Sequence, residues 1–139
     1  MRLPQPFEDL GHTADLGVRV RGASAEEAAG RLALALGALL AGGPVTPDRE
    51  ERIAVAGGPG LAGTAVALLR ELLFRFATAG RVPAAIEVLR LDERGAEALV
   101  ETGPHDPGAE GVDVKAVTWH AARLEREGAG WVGQAVFDV

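Results

Sequence analysis

Residues 16–24 read Leu16-Gly17-Val18-Arg19-Val20-Arg21-Gly22-Ala23-Ser24, and a change of period just beyond them decides the fold class. From Leu16 to Arg21, apolar and polar side chains alternate. Successive side chains of an extended chain point to opposite faces, so the alternation predicts a half-buried strand. Gly22 ends it. Ser24 then supplies a hydroxyl N-cap, and Glu27 three residues on completes a capping box. Beyond this point the period lengthens to that of a helix reaching Ala41. Leu32, Leu36 and Leu39 share one stripe, and the alanines between them favour helix intrinsically. Gly42-Gly43-Pro44 stops it.

The rest of the chain repeats and then extends this pattern. Arg52 to Ala56 reads as a short strand and Gly57-Gly58-Pro59-Gly60 as a turn. A second helix follows from Leu61 to Ala79, with Ala65, Leu68, Leu69, Leu72, Leu73 and Phe76 forming a wide apolar face. Gly80 and Pro83 end it. Strand patterns then cover 85–91, 96–101, 112–124 and 131–139, with hairpin turns at 92–95 and 126–130. Two principal helices and about six strands predict an α+β fold, with a mixed or antiparallel sheet and the helices on one face. Residues 1–139 read as a single domain.

Composition excludes several function classes. Hydrophobic residues make up 47% of the chain, enough for a core. The net charge of −6 argues against a broad nucleic-acid surface. With no cysteine, disulfides, thiolate catalysis and cysteine metal sites are absent. No apolar run is long enough for a membrane span or a signal peptide, so the cytoplasm is the expected compartment. Gly57 to Thr64 lacks the lysine of a phosphate loop, and the dinucleotide fingerprint is missing.

The remaining chemistry lies in carboxylates, histidines and the chain's one lysine, Lys115. Gly11-His12-Thr13-Ala14-Asp15 places a histidine, a hydroxyl and a carboxylate ahead of the first strand. Asp138 closes the last strand after Val136-Phe137. Two readings of Asp138 stand side by side: it faces water as the chain leaves the sheet, or it pairs with Asp15 across adjacent strands to hold a hard cation. Two carboxylates with main-chain oxygens suit Mg²⁺ or Ca²⁺, and the terminal oxygens of Val139 lie close in sequence. Strand alternation sets Ala116, Thr118 and His120 on one face and Lys115, Val117 and Trp119 on the other. The segment 102–111, with His105 and Asp106, reads either as the edge of a site or as a solvated connector. No nucleophile elbow or ordered triad is present, and Ser24 is spent as a cap.

Four blocks carry a family resemblance: GHTADLGVRVRG at 11–22, LLRELLFRF at 68–76, VDVKAVTWH at 112–120 and WVGQAVFDV at 131–139. In this order they resemble the archease family, with Trp119 standing where the family usually has tyrosine. The segment ETGPHDPGAEGVDVK departs from the family's Gly-Glu-x-x-Asp pattern: Asp106 matches the aspartate, and no histidine stands between Pro107 and Asp113. The resemblance implies an archease-like fold and an accessory role beside an RtcB-type RNA ligase in tRNA splicing or RNA repair. It implies promotion of the ligase's GTP-dependent guanylylation and turnover, with GTP used by the ligase and no catalysis by this chain. It implies a metal site at Asp15, Asp138 and Val139, the last through a main-chain or terminal oxygen. His12, Lys115, His120 and Asp106 are candidate partner-contact or supporting residues. Two other readings compete: an autonomous divalent-metal phosphohydrolase or nuclease using Asp15, Asp138 and His12, and a chaperone-like protein-binding module.

Overall fold

A computed structural model describes residues 15–139. The elements in chain order are β1 (Asp15–Gly22), α1 (Ala25–Ala41), β2 (Arg49–Ala56), α2 (Gly60–Ala79), β3 (Arg81–Asp92), β4 (Gly95–Pro104), β5 (Ala116–Glu127) and β6 (Gly130–Asp138). The fold is α+β, with the two helices and six strands that the sequence predicts. The strands divide into two antiparallel three-stranded sheets, ordered β1-β6-β5 and β2-β4-β3. Each sheet is built on a local hairpin, β3–β4 or β5–β6. A strand from the first half of the chain then joins each hairpin.

The caps form as read. Ser24 Oγ accepts the amide of Glu27 at 3.0 Å. Glu27 reaches back to the amide of Ala23 at 2.6 Å, one residue before the cap itself. At the other end Gly42 adopts φ 66° and its amide donates to Ala38 O at 3.3 Å. A Cβ at Gly42 would meet Glu110 O at 2.3 Å, so the position requires glycine for both its conformation and its neighbour.

Both helices feed one core. Leu32, Leu36 and Leu40 of α1 and Val66, Leu69 and Leu72 of α2 meet Ile53 and Val100 from one sheet and Val117 and Phe137 from the other. Phe137 is fully buried, which contributes roughly 1.5–3 kcal/mol relative to an exposed ring. A second cluster uses Ala25, Ala28 and Ala29, whose small side chains pack with Leu91 and Leu124.

Several boundaries differ from the sequence reading: β2 begins at Arg49 and not Arg52, β3 at Arg81 and not Ala85, and β4 runs on to Pro104 and not Glu101. Gly80, at φ 67°, ends α2 alone, and Pro83 lies inside β3. Proline is tolerated there because β3 is an outer strand and its register shifts between Pro83 and Ala85. The strand predicted from Val112 begins only at Ala116. Val112 instead donates its amide to Leu39 O at 2.7 Å, tying the segment to the end of α1.

Candidate functional site

β1 begins at Asp15, β6 ends at Asp138, and the antiparallel register sets these two residues directly opposite each other. Directly opposed residues share one face of a sheet, with Cβ atoms about 4.5–5.5 Å apart. The structure therefore brings together the two carboxylates that the sequence singled out. Ala116 faces Asp138 from the other side, and the amide of Lys115 donates to Asp138 O at 2.7 Å. Asp138 is thus fixed at the middle of a three-stranded end. It is half-buried, whereas Asp15 is exposed.

Like charges directly opposed across a sheet oppose pairing. A hard cation between them would offset that repulsion, and carboxylates with main-chain oxygens are the donors such ions prefer. The donor set fits Mg²⁺ or Ca²⁺ on these grounds. Val139 has no ligating side chain and packs it against the core, so it could offer only a main-chain or terminal oxygen. Among the described residues, no group of three or more His, Asp and Glu side chains converges as a metal cluster. His12 lies outside the described residues, as does Gly11. Gly17, two residues beyond Asp15, faces open space: a Cβ there would meet nothing within 4 Å.

The other candidates spread along the same sheet and its approach. Lys115 is exposed and pairs with Asp113 at 3.3 Å. The carboxylate of Asp106 accepts the amide of Gly108 at 2.9 Å and shapes its own turn. The segment holding it is tied by His105 N to Gly80 O at 3.0 Å and by Val112 to α1. His105 packs its ring edge-on to Phe76, with Nε2 buried and without a partner among the described residues. His120 is exposed and lies four residues beyond Ala116, away from the Asp15–Asp138 pair.

Two features were not read from the sequence. Arg81 is buried and bonds Thr102 Oγ1 and O, at 3.2 and 2.9 Å, and Asp48. Thr102 donates to Glu51 at 2.8 Å, and Glu51 in turn takes Arg75 at 2.6 Å. The second is a wide bulge in β5. Its register passes from Thr118↔Val136 to Arg123↔Gln134, so residues 119–122 stand against Ala135 alone. Ala121 there adopts φ 57°, a left-handed conformation that costs a non-glycine residue about 1–2 kcal/mol. Gln134 holds it, donating to Ala121 O at 2.7 Å while Arg19 donates to Gln134 Oε1 at 2.8 and 3.0 Å.

This two-helix, two-sheet arrangement is a known one. The family model for the Archease protein family (MTH1598/TM1083) matches residues 7–139. The archease of Methanopyrus kandleri is 33% identical over 140 residues, spanning 96% of this chain and 99% of that protein. The archease of Thermococcus gammatolerans is 30% identical over 142 residues, spanning 96% and 98%. Among solved structures, protein 1598 of Methanobacterium thermoautotrophicum superposes with a TM-score of 0.69 at 25% identity, covering 91% of this chain and 94% of its own. The Thermotoga maritima archease shares the fold at 21% identity, with a TM-score of 0.63, over 100% and 99%. The chain belongs to the archease family. Among the described residues, no helix is long and apolar enough to cross a membrane.

Proposed function

We propose that this protein is a cation-holding activator of an RtcB-type RNA ligase, acting in the cytoplasm to promote the ligase's GTP-dependent guanylylation and repeated turnover. Family membership supports the association with the ligase. The observation that carries the site is the direct opposition of Asp15 and Asp138 at one end of the β1–β6 ladder. Asp15 and Asp138 would hold Mg²⁺ or Ca²⁺ with a main-chain oxygen of Val139, and the bound ion would supply positive charge at this end. The residues around the pair fix its geometry. Lys115 N braces the Asp138 carbonyl, and the valine side chain anchors the strand end in the core. The exposed ammonium of Lys115 offers a cation to a phosphate or carboxylate of the ligase. Through these contacts the tip stabilises a ligase conformation open to GTP. The ligase, not this chain, joins RNA.

The test is guanylylation of the cognate ligase with GTP and divalent metal, with and without catalytic amounts of this protein. Asp15→Ala and Asp138→Ala run in parallel. Faster guanylylation, lost in both variants while both remain folded, is the expected result. Unchanged stimulation by Asp15→Ala at limiting metal contradicts the role of the acid pair. Partner-free hydrolysis of phosphate esters or RNA that disappears in Asp15→Ala would establish the autonomous enzyme instead.

A further inference from the structure

Among the described residues β5 is an outer strand of one sheet and β2 an outer strand of the other. Both line a cleft of about 530 Å³ that also takes residues from α2. Ala54, Val55 and Ala56 come from β2, Trp119 from β5, and Ala67 and Arg70 from α2. Three observations make this cleft more than a gap between sheets.

The first is the edge of β2, open among the described residues. Outer strands ordinarily guard their unpaired backbone with charge, proline or a bulge. β2 carries charge over Arg49–Arg52, but its last residues are Ala54-Val55-Ala56, with both alanines exposed. The guard is missing where the strand lines the cleft.

The second is the display of Trp119. Trp119 is the first residue of the β5 bulge and is 46% exposed. Gly58 gives the ring room, since a Cβ there would lie 2.8 Å from Trp119 Cη2.

The third is Arg70. Its guanidinium lies 4.8 Å from the Trp119 ring centroid, and Nε donates to Val117 O at 3.0 Å. The neighbouring carboxylate on the helix, Glu71, is engaged by Arg75 at 2.9 Å. Arg70 is therefore held in place with its outer nitrogens unpaired among the described residues. One turn further along α2, Phe74 is 60% exposed.

A planar guanidinium held this way matches a carboxylate fork. Exposed Trp and Arg are also the side chains that most often anchor protein interfaces. An RNA strand has phosphates for Arg70 but no amides and carbonyls spaced for a strand edge, and the net charge of −6 opposes it. We propose that the cleft docks an extended segment of a partner protein. That segment adds a strand along Ala54–Ala56, lays an apolar side chain on Trp119 and sets an Asp or Glu in the fork of Arg70. Trp119 lies three residues beyond the residue facing Asp138, roughly 10 Å along an extended strand, so one partner can reach both places. The inference rests on the ligase reading and takes the ligase as that partner.

The test is calorimetric binding of the full chain to the ligase. It compares wild type, Arg70→Glu, Arg70→Gln and Trp119→Ala, with amide exchange read at Ala54–Ala56. The proposal expects Kd to rise about tenfold or more in Arg70→Glu and Trp119→Ala, and less in Arg70→Gln. Both arginine variants lose the Val117 O bond and the Trp119 contact, so their unfolding midpoints should fall by similar amounts, and binding is read well below that range. The amides of Ala54 and Ala56, which alternate with the β4-bonded position of Val55, should gain protection only in the complex. Kd values within about twofold of wild type for both arginine variants would overturn it. Ala54 and Ala56 amides already protected in the free chain would also overturn it, as would binding to the ligase that requires RNA. A wild-type chain that does not bind the ligase would overturn the ligase reading and this occupant together. That result is distinct from one in which wild type and cleft variants bind alike.

Discussion

At the scale of single residues, the structure separates polar groups that hold the fold from those that decorate it. Thr102 is buried, donates to Glu51 and accepts from Arg81. Replacing it with valine keeps the shape but takes one bond from each partner, leaving Arg81 on Asp48 and Thr102 O and Glu51 on Arg75, so Thr102→Val should cost about 1–3 kcal/mol in urea unfolding. The exposed pair Arg52–Glu97, at 2.9 Å, should behave differently: Arg52→Ala should change stability by about 0–1 kcal/mol. Equal effects from the two substitutions would contradict this division. The sequence did not reveal the network. Asp48, Glu51, Arg81 and Thr102 look like ordinary surface residues until strand pairing brings them together. Asp15 and Asp138 were legible because each sits at the end of an alternating strand, where a carboxylate stands out against apolar neighbours.

At the scale of elements, local chemistry explains the helices well and the late strands less well. Ser24 caps α1 through the Glu27 amide, and Ser24→Ala should cost about 1 kcal/mol. The Ala23 amide, and then Arg31, hold the Glu27 carboxyl below the ordinary glutamate range. Because the folded value is depressed, this contribution is present above the unfolded glutamate's range and is lost as pH falls through the folded value. Glu27→Gln should therefore flatten the acid limb of a stability–pH curve measured by denaturant unfolding. An unaltered acid limb would contradict the cap. These elements were readable because caps and periods act over a few residues. The start of β5 was not readable, because Val112 bonds Leu39 rather than a strand. The β5 bulge was hidden too: alternation assumes one residue per partner, and residues 119–122 share Ala135. The separation into two sheets depends on β1 and β2 choosing different hairpins, a choice that no local pattern encodes.

At the scale of the whole molecule, the sheets have different tasks in the proposed function. The β2-β4-β3 sheet packs with both helices and carries the buried Arg81–Thr102–Glu51 network. The β1-β6-β5 sheet presents Asp15 and Asp138 at one end and the bulge further along. A cation at that end would tie β1 to β6 and bind the folded chain alone, raising its stability by about 2.7 kcal/mol at a hundredfold excess over Kd. The most direct measurement is a calorimetric titration of Mg²⁺ and of Ca²⁺ into the isolated full-length chain, beside Asp138→Asn and Asp15→Asn. The account predicts one site per chain for at least one ion, with a rise in Tm, and loss of both signals in each variant. No binding of either ion by the wild type, or equal binding by the variants, would contradict it.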